Sequence, residues 1–299
     1  MQVPGKGGGE AMGVDVNYAK WMQRVPSAKK IQQLNIPGTH DTCTYKNKMD
    51  FVKTQNKSVA EQLTGGIRFL DARCRHIEDA FAMHHGSVYL DMMFGDVLND
   101  CVAFLGKNPG ECIIMSVKRE YDDHNNKLTF DQVFQQKYYQ PFASHWFVEN
   151  RFPTLGEARG KMVLLRRYGG SQGIDASSWK DNATFDMQGV ANPIHVQDQY
   201  VVPTVFDISK KWDHVEAALK AAKSGSSDGM YVNFTSGASS GAYPNAIAHG
   251  SSVNHGINRR LSDFLGKSEN KKGRYGILPM DFVDDDNWEC VKKLVESNL

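Results

Sequence analysis

The stretch "NIPGTHDTC", Asn35 to Cys43, places a Pro-Gly turn just before an adjacent histidine and aspartate, His40 and Asp41. Such a pair suits proton transfer, because imidazole titrates near neutrality and a carboxylate can orient it. Groups of the same kind close other short apolar runs. They are Asp71 and Arg73 in "FLDARC", His84 and His85 in "AFAMHHG", Lys118 and Arg119 in "IIMSVKRE", Arg166 and Arg167 in "KMVLLRRY", Asp198 and Tyr200 in "VQDQY", and Asp281 in "PMDF". Two histidines with carboxylate partners and several guanidinium groups suit acid–base chemistry on an anionic phosphoester.

Rival chemistries fit less well. A zinc site wants three or four His, Cys or carboxylate ligands at a recognisable spacing. The chain has no HExxH and no Cys/His pair at finger spacing. The run Asp284-Asp285-Asp286 lacks the EF-hand pattern and is expected to cap the last helix. An arginine beside Asp71 supplies positive charge itself, so no metal and no cofactor are expected. A serine-nucleophile reading fares worse, since "FTSGASSGAYP" reads as a loop after a strand, and "GKGGGE" lacks the spaced Gly-Lys-Ser/Thr of a phosphate loop.

The elements that must position these residues can be read from the apolar pattern. Eight segments resemble buried strands: "IQQLNIPGTHD", "GIRFLDARCRH", "AFAMHHG", "ECIIMSVKRE", "KMVLLRRYGG", "PIHVQDQYVV", "GMYVNFTSG" and "YGILPMDFVDD". Helical patterns lie between many of them: "LDMMFGDVLNDCVAFLGKNPG", stopping at Asn-Pro-Gly, then "WDHVEAALKAAKSG", and "WECVKKLVESNL" as a final helix. Strands alternating with helices imply a parallel sheet, and eight of them without a nucleotide-binding glycine fingerprint imply an irregular (β/α)8 barrel of one domain. Active sites of such barrels sit at the C-terminal strand ends, where the residues above fall. Alternation puts Asp71 with Arg73, and Asp198 with Tyr200, on one face. It admits only one residue from each of the adjacent pairs His84/His85, Lys118/Arg119 and Arg166/Arg167, and does not say which.

Bulk properties narrow the class. The 299 residues are 40% apolar and 23% charged, with 35 basic against 34 acidic side chains. A net charge of +1 argues against nucleic acid as a partner. No apolar run reaches the roughly 18 residues of a membrane span. Residues 1–11, "MQVPGKGGGEA", lack the apolar core of a secretory signal and read as a flexible leader, with the barrel at 12–299. Five cysteines without paired spacing read as free thiols.

Several motifs in one order carry a resemblance. "IPGTHDT", "GIRFLDARCR", "HHGSVYLDMMFGDVL", "FLGKNPGECIIMSVKREY", "ARGKMVLLRRY", "VQDQY" and "YVNFTS" resemble the bacterial phosphatidylinositol-specific phospholipase C family, from about Trp21 to the C-terminus. The resemblance implies a distorted (β/α)8 TIM barrel. It implies a phosphorus–oxygen lyase that cleaves phosphatidylinositol without metal to diacylglycerol and inositol 1,2-cyclic phosphate. Glycosyl-phosphatidylinositol (GPI) anchors are a further substrate class of the family. His40 resembles the general base and Asp281 its orienting carboxylate; His85 resembles the general acid, supported by Asp41. Arg73 matches the phosphate-binding arginine and Asp71 the carboxylate near it. Lys118, Arg167 and Asp198 match groups that hold the inositol hydroxyls, and Tyr200 a ring against the sugar face.

The chain departs from the family at the rim. "TYKNKMDFVKTQ" and "SGASSGAYPNAIAHG" carry no tryptophan to enter a bilayer, and Met49, Phe51 and Tyr243 are the candidates to replace it. Transient contact with a membrane surface and a monomeric state are expected. The family setting is extracellular, whereas a full-length chain without a signal would be cytoplasmic. Two other readings are a phosphoinositide-binding barrel without turnover and a metal-dependent glycerophosphodiesterase-like hydrolase.

Overall fold

Strand β1 (Ile36–Thr39) is buried at all four residues and sits at the middle of a single sheet. The computed structural model describes residues 16–187 and 193–299; the leader expected at 1–11 lies outside them. The other strands, in chain order, are β2 (Phe69–Ile77), β3 (Ala80–His85), β4 (Val88–Met93), β5 (Ile113–Arg119), β6 (Trp146–Phe147), β7 (Met162–Arg167), β8 (Ile174–Asp175), β9 (Thr184–Asp186), β10 (Ile194–Gln197), β11 (Met230–Asn233) and β12 (Ile277–Met280). The helices are α1 (Val59–Thr64), α2 (Phe94–Lys107), α3 (Phe130–Val133), α4 (Leu155–Ala158), α5 (Ile208–Ser224), α6 (Pro244–His249), α7 (Ile257–Gly266) and α8 (Asp285–Glu296).

Strands run β6-β7-β5-β2-β1-β12-β11-β10-β9, and all neighbours are parallel except β9, which is antiparallel to β10. Strand β8 pairs in parallel with the far half of β7, so β6 and β8 share one interrupted stave. Among the described residues no ladder joins this stave to β9, and no helix lies between β7 and β10. The result is the distorted eight-stave barrel the sequence implied. Staves such as β5, "IIMSVKR", read as continuous apolar runs because helices cover one face and barrel side chains fill the other. Helix α2 shows how the cover forms: Phe94, Val97, Leu98, Cys101, Phe104 and Leu105 make one buried stripe. At Gly38 a Cβ would lie 2.9 Å from Phe69, so the glycine lets β1 and the Phe69 side chain pack closely.

Three expectations need correction. "AFAMHHG" is not a stave. It is β3, which turns back antiparallel on β2 and pairs with β4, while the eighth stave is the broken β6/β8 pair. The helix expected from Leu90 begins at Phe94, because Leu90–Met93 complete β4. Asp284 occupies the N-cap position of α8 but makes no capping bond. Its carboxylate accepts from Asn56 Nδ2 at 3.2 Å, and Asp286, Asn287 and Trp288 are left-handed, so regular helix starts only after them.

Candidate active site

The turn after β1 is built to hold two side chains apart. The β1–β12 register pairs Thr39 with Met280, and the next step brings His40 beside Asp281. His40 N–H donates to the Met280 carbonyl at 3.0 Å, and His40 Nδ1 lies 2.7 Å from Asp281 Oδ1. Asp41 then adopts a left-handed backbone, φ 41°, which is unfavourable for a residue with a Cβ. Its N–H donates to Asp71 Oδ2 at 3.1 Å, and its own Oδ2 lies 2.6 Å from His85 Nδ1. That second contact has the distance of an ion pair without the alignment of a hydrogen bond. Gln55 Nε2 donates to the carbonyls of His40 and Met280, which locks the turn from outside.

A row of cations follows from register. Arg73 on β2 pairs with Lys118 on β5, and Lys118 with Arg167 on β7, so their side chains share one face. This resolves the choices left open by alternation. Arg166 is the buried partner of Asp175 and the Tyr168 carbonyl. His84 contacts the Gly86 carbonyl and packs by Tyr89, whereas His85 reaches the cavity. Arg119 also reaches the cavity wall, from a half-exposed position paired with Asp123.

His40, Arg73, His85, Lys118, Arg167, Asp198 and Tyr200 line one cavity of about 710 Å³. Asp41, Asp71 and Asp281 stand buried just behind it. Asp71 accepts from Arg73 Nε at 3.0 Å and meets Arg167 Nη1 at 3.5 Å. Asp198 accepts from Trp179 Nε1 at 2.9 Å and lies 3.9 Å from Arg167. Tyr200 donates its hydroxyl to Asp181 at 3.0 Å.

The electrostatics separate the groups. Burial, then the Arg73 guanidinium, holds the His40 imidazole well below its ordinary value, so the ring is neutral at pH 7. Burial, with Asp41 adding to it, pushes the Asp281 carboxyl well above the usual carboxylate range. Burial would also raise Asp71, but Arg73 and Arg167 overturn it and keep that carboxylate ionised. Burial and Arg73 lower Lys118, and burial with Asp181 raises the Tyr200 phenol to about 12.

Three residues were not singled out from the sequence. Glu120 takes Lys118 Nζ at 2.7 Å and the Gly86 N–H at 3.0 Å, and it stands 4.0 Å from Arg73. It follows Lys118 by two positions in "VKRE", so alternation carried its signal. Trp179 lies under the Arg167 guanidinium at 3.9 Å and bonds Asp198. Phe234 stands edge-on to His40, ring centres 6.0 Å apart. Trp179 lies on a connection, and no pattern marks it.

A family model described as phosphatidylinositol-specific phospholipase C, X domain, matches residues 31–168. The chain is 35% identical to the 1-phosphatidylinositol phosphodiesterase of Staphylococcus aureus strain Newman, covering 93% of each chain. The chain belongs to the phosphatidylinositol-specific phospholipase C family. A second relative in that family, from Listeria monocytogenes, also bears the name 1-phosphatidylinositol phosphodiesterase. It is 30% identical, over 95% of this chain and 86% of that one. A Staphylococcus aureus phosphatidylinositol-specific phospholipase C, solved in work on its membrane binding, superposes with a TM-score of 0.83 at 32% identity, covering 95% and 98%. The Listeria monocytogenes enzyme gives 0.74 at 28% identity, covering 95% and 100%. The family's barrel thus extends over nearly the whole chain.

The five cysteines are free and buried, and burial raises Cys43 and Cys74 well above the ordinary thiol range. Neither thiol is a ready nucleophile. Among the described residues no three His, Cys, Asp or Glu side chains converge as a cation cage, and no helix is long and apolar enough to cross a membrane.

Proposed function

We propose that this chain is a phosphatidylinositol diacylglycerol-lyase whose two His–Asp units act on opposite sides of one phosphodiester. The carrying observation is that His40–Asp281 and His85–Asp41 open on the cavity that Arg73 also enters. Neutral His40 takes the proton of the inositol 2-hydroxyl, whose oxygen attacks phosphorus. The bond from phosphorus to the diacylglycerol oxygen breaks, and His85 gives that oxygen its proton. The products are diacylglycerol and inositol 1,2-cyclic phosphate, with atoms and charge in balance.

Arg73 faces the charge that grows on the phosphoryl oxygens. A preorganised donor there contributes about 2.7–4 kcal/mol, and each acid–base group about 10²–10⁴ in rate. Lys118, Arg167 and Asp198 take the inositol hydroxyls, and Tyr200 lies against the ring. The cationic row supplies the charge that a divalent ion would otherwise bring, which supports a metal-independent reaction. GPI anchors share the reacting inositol phosphate and are a second substrate class.

The substrate is a lipid, so the mouth must meet a surface. Phe51 and Tyr243 stand 6.3 Å apart on the cavity rim, both exposed, and Met49 is exposed beside Phe51 in sequence. Phe206 and Val253, on two loops tied by Asn254 Nδ2 to the Val205 carbonyl, are 86% and 94% exposed. These side chains support a transient membrane contact.

Phosphorus NMR of the protein with phosphatidylinositol micelles in excess EDTA tests the reading, with His40→Ala alongside. A cyclic phosphodiester signal that vanishes in the variant is expected. Product only after added calcium or zinc would move the chain to a metal-dependent hydrolase. Binding without product under either condition would leave a lipid-binding barrel.

A further inference from the structure

Helix α5 turns Ile208, Lys211, Val215, Leu219 and Ala222 inward. These positions form one helical stripe, and a lysine stands where the pattern wants an apolar side chain. Lys211 is 2% exposed. A buried ammonium is costly unless its protons are bonded, and this one places all three. Nζ donates to the Phe234 carbonyl at 2.7 Å, to the Gln199 carbonyl at 2.8 Å and to Gln197 Oε1 at 3.3 Å.

Those acceptors sit where two staves leave the sheet for the cavity. Gln197 ends β10, and with Gln199 it brackets Asp198; Phe234 follows β11. Gln197 adds a second tie: its Nε2 donates to Asn233 Oδ1 and the Phe234 carbonyl, both at 2.8 Å, and its Oε1 accepts the Gln199 N–H at 2.8 Å. Beyond the tie lie Asp198 and Tyr200 on the cavity wall, and the Phe234 ring against His40 and Trp179.

We infer that Lys211 is a positioning residue: its ammonium fixes the Asp198–Tyr200 segment against Phe234 and so sets the affinity of the site for the inositol ring. The inference rests on reading Asp198 and Tyr200 as groups that contact substrate. The Lys211 side chain itself stays behind the wall and touches no reacting atom.

Charge around Lys211 makes this tie sensitive to pH. Asp198 and Asp281 act on it from beyond β10 and β12 and favour the ammonium. On its own helix, Lys210 is paired with Asp207 at 2.8 Å. His214 shares the wall of a small cavity, about 150 Å³, with Asp207, Lys210 and Lys211. Burial outweighs the two carboxylates and brings the Lys211 amine down to about 7. A neutral amine donates two protons and turns its lone pair toward an oxygen, so the tie is intact below neutrality and loosens above it.

The test measures kcat and KM for phosphatidylinositol from mildly acid to alkaline pH in the wild type, Lys211→Met and Lys211→Arg. In the wild type KM should rise as pH passes through neutrality. Lys211→Met should raise KM about tenfold at pH 6, the scale of one charge-assisted hydrogen bond, with kcat little changed and the alkaline rise in KM gone. Arginine keeps its charge throughout and should hold KM low at alkaline pH. A folded Lys211→Met with the wild-type KM and pH profile overturns the inference.

Should Lys211→Met not fold, NMR of wild-type protein carrying ¹³Cε-lysine decides. One lysine should titrate near neutrality, and myo-inositol should move its midpoint upward, because a ligand favoured by the protonated state must favour protonation in return. A midpoint unmoved by saturating myo-inositol overturns the inference. Absence of turnover in the wild type would instead strike the functional reading, and the myo-inositol titration would still judge Lys211.

Discussion

Arg68, just before β2, and Arg73, in the middle of it, lie five residues apart, one toward the base of the barrel and one toward its mouth, and their surroundings could hardly differ more. Arg68 is fully buried at the base of the barrel, where every guanidinium nitrogen finds a partner. Glu111 takes Nε at 3.0 Å and Nη2 at 2.8 Å, and the carbonyls of Leu63, Ile67, Tyr18 and Ala19 take the rest. Glu111 also accepts the N–H groups of Met22 and Gln23, so the pair fastens the N-terminal segment across the barrel floor. Among the described residues Arg73 makes one hydrogen bond, from Nε to Asp71, and turns the remainder of its fork to the cavity. A satisfied buried arginine holds a structure together; one with donors in reserve is held ready for a ligand.

Breaking each end should have a different signature. Arg68→Ala leaves Glu111 buried without its counter-charge and should cost about 3–5 kcal/mol of stability, read by urea unfolding. Turnover per folded molecule should stay near wild type. Equal loss of turnover in the folded fraction would mean that the base and mouth are not separable.

Arg73→Ala should do the reverse. The rate kcat/KM should fall about 10²–10³-fold, while the stability loss stays below that of Arg68→Ala because Arg167 remains beside Asp71. A fall under tenfold would remove Arg73 from the chemistry.

The pH profile sharpens the point. A base must be neutral to act, and burial with Arg73 lowers His40, so the acid limb of kcat/KM should fall below the ordinary imidazole value of about 6.5. In Arg73→Ala that limb should move toward higher pH, since one of the groups depressing His40 has gone. An unmoved limb would assign it to another residue.

Much of this division was legible in the chain. The strand-ending residues were readable because the C-terminal ends of parallel staves converge, and each residue to which the resemblance gave a catalytic or substrate-binding role lies in or just behind the cavity, whereas His84 and Arg166 do not. Register was not readable. Which of His84 or His85, Lys118 or Arg119, Arg166 or Arg167 faces inward depends on pairing between strands far apart in sequence, and the resemblance supplied what alternation could not. The mistaken stave has a similar cause: "AFAMHHG" has a strand's composition, and nothing local says whether its partner runs parallel or antiparallel. Trp179 and Lys211 escaped notice for opposite reasons. One sits on a connection without periodicity, and the other is a charged residue in an apolar stripe, where sequence pattern assumes a solvated face.

The two ends differ in one more respect, which gives the smallest of the expected effects. Among the described residues, every large apolar side chain left exposed lies in a segment that follows the C-terminal end of a stave, Tyr89 on β4 and Met49, Phe51, Tyr121, Val201, Val205, Phe206, Tyr243 and Val253 on connections. The base buries its aromatic residues instead, as Trp21 shows, with its indole N–H on the Gly66 carbonyl at 3.0 Å. Exposed apolar groups scattered at random carry no message, but confinement to one end does. Phe206→Ser with Val253→Ser should weaken partition onto phosphatidylinositol vesicles about tenfold, about 1.4 kcal/mol, which is a quarter to a half of the roughly 3–6 kcal/mol that full burial of both side chains would be worth. Turnover of a monodisperse short-chain phosphatidylinositol should not change, because neither residue lines the cavity. If Phe51→Ser and Tyr243→Ser abolish partition while the first pair leaves it intact, the lipid contact belongs to the inner rim alone. If the Phe206 and Val253 pair acts as expected, the mouth meets the bilayer along a broader edge, and the contrast with the sealed base extends over the whole face.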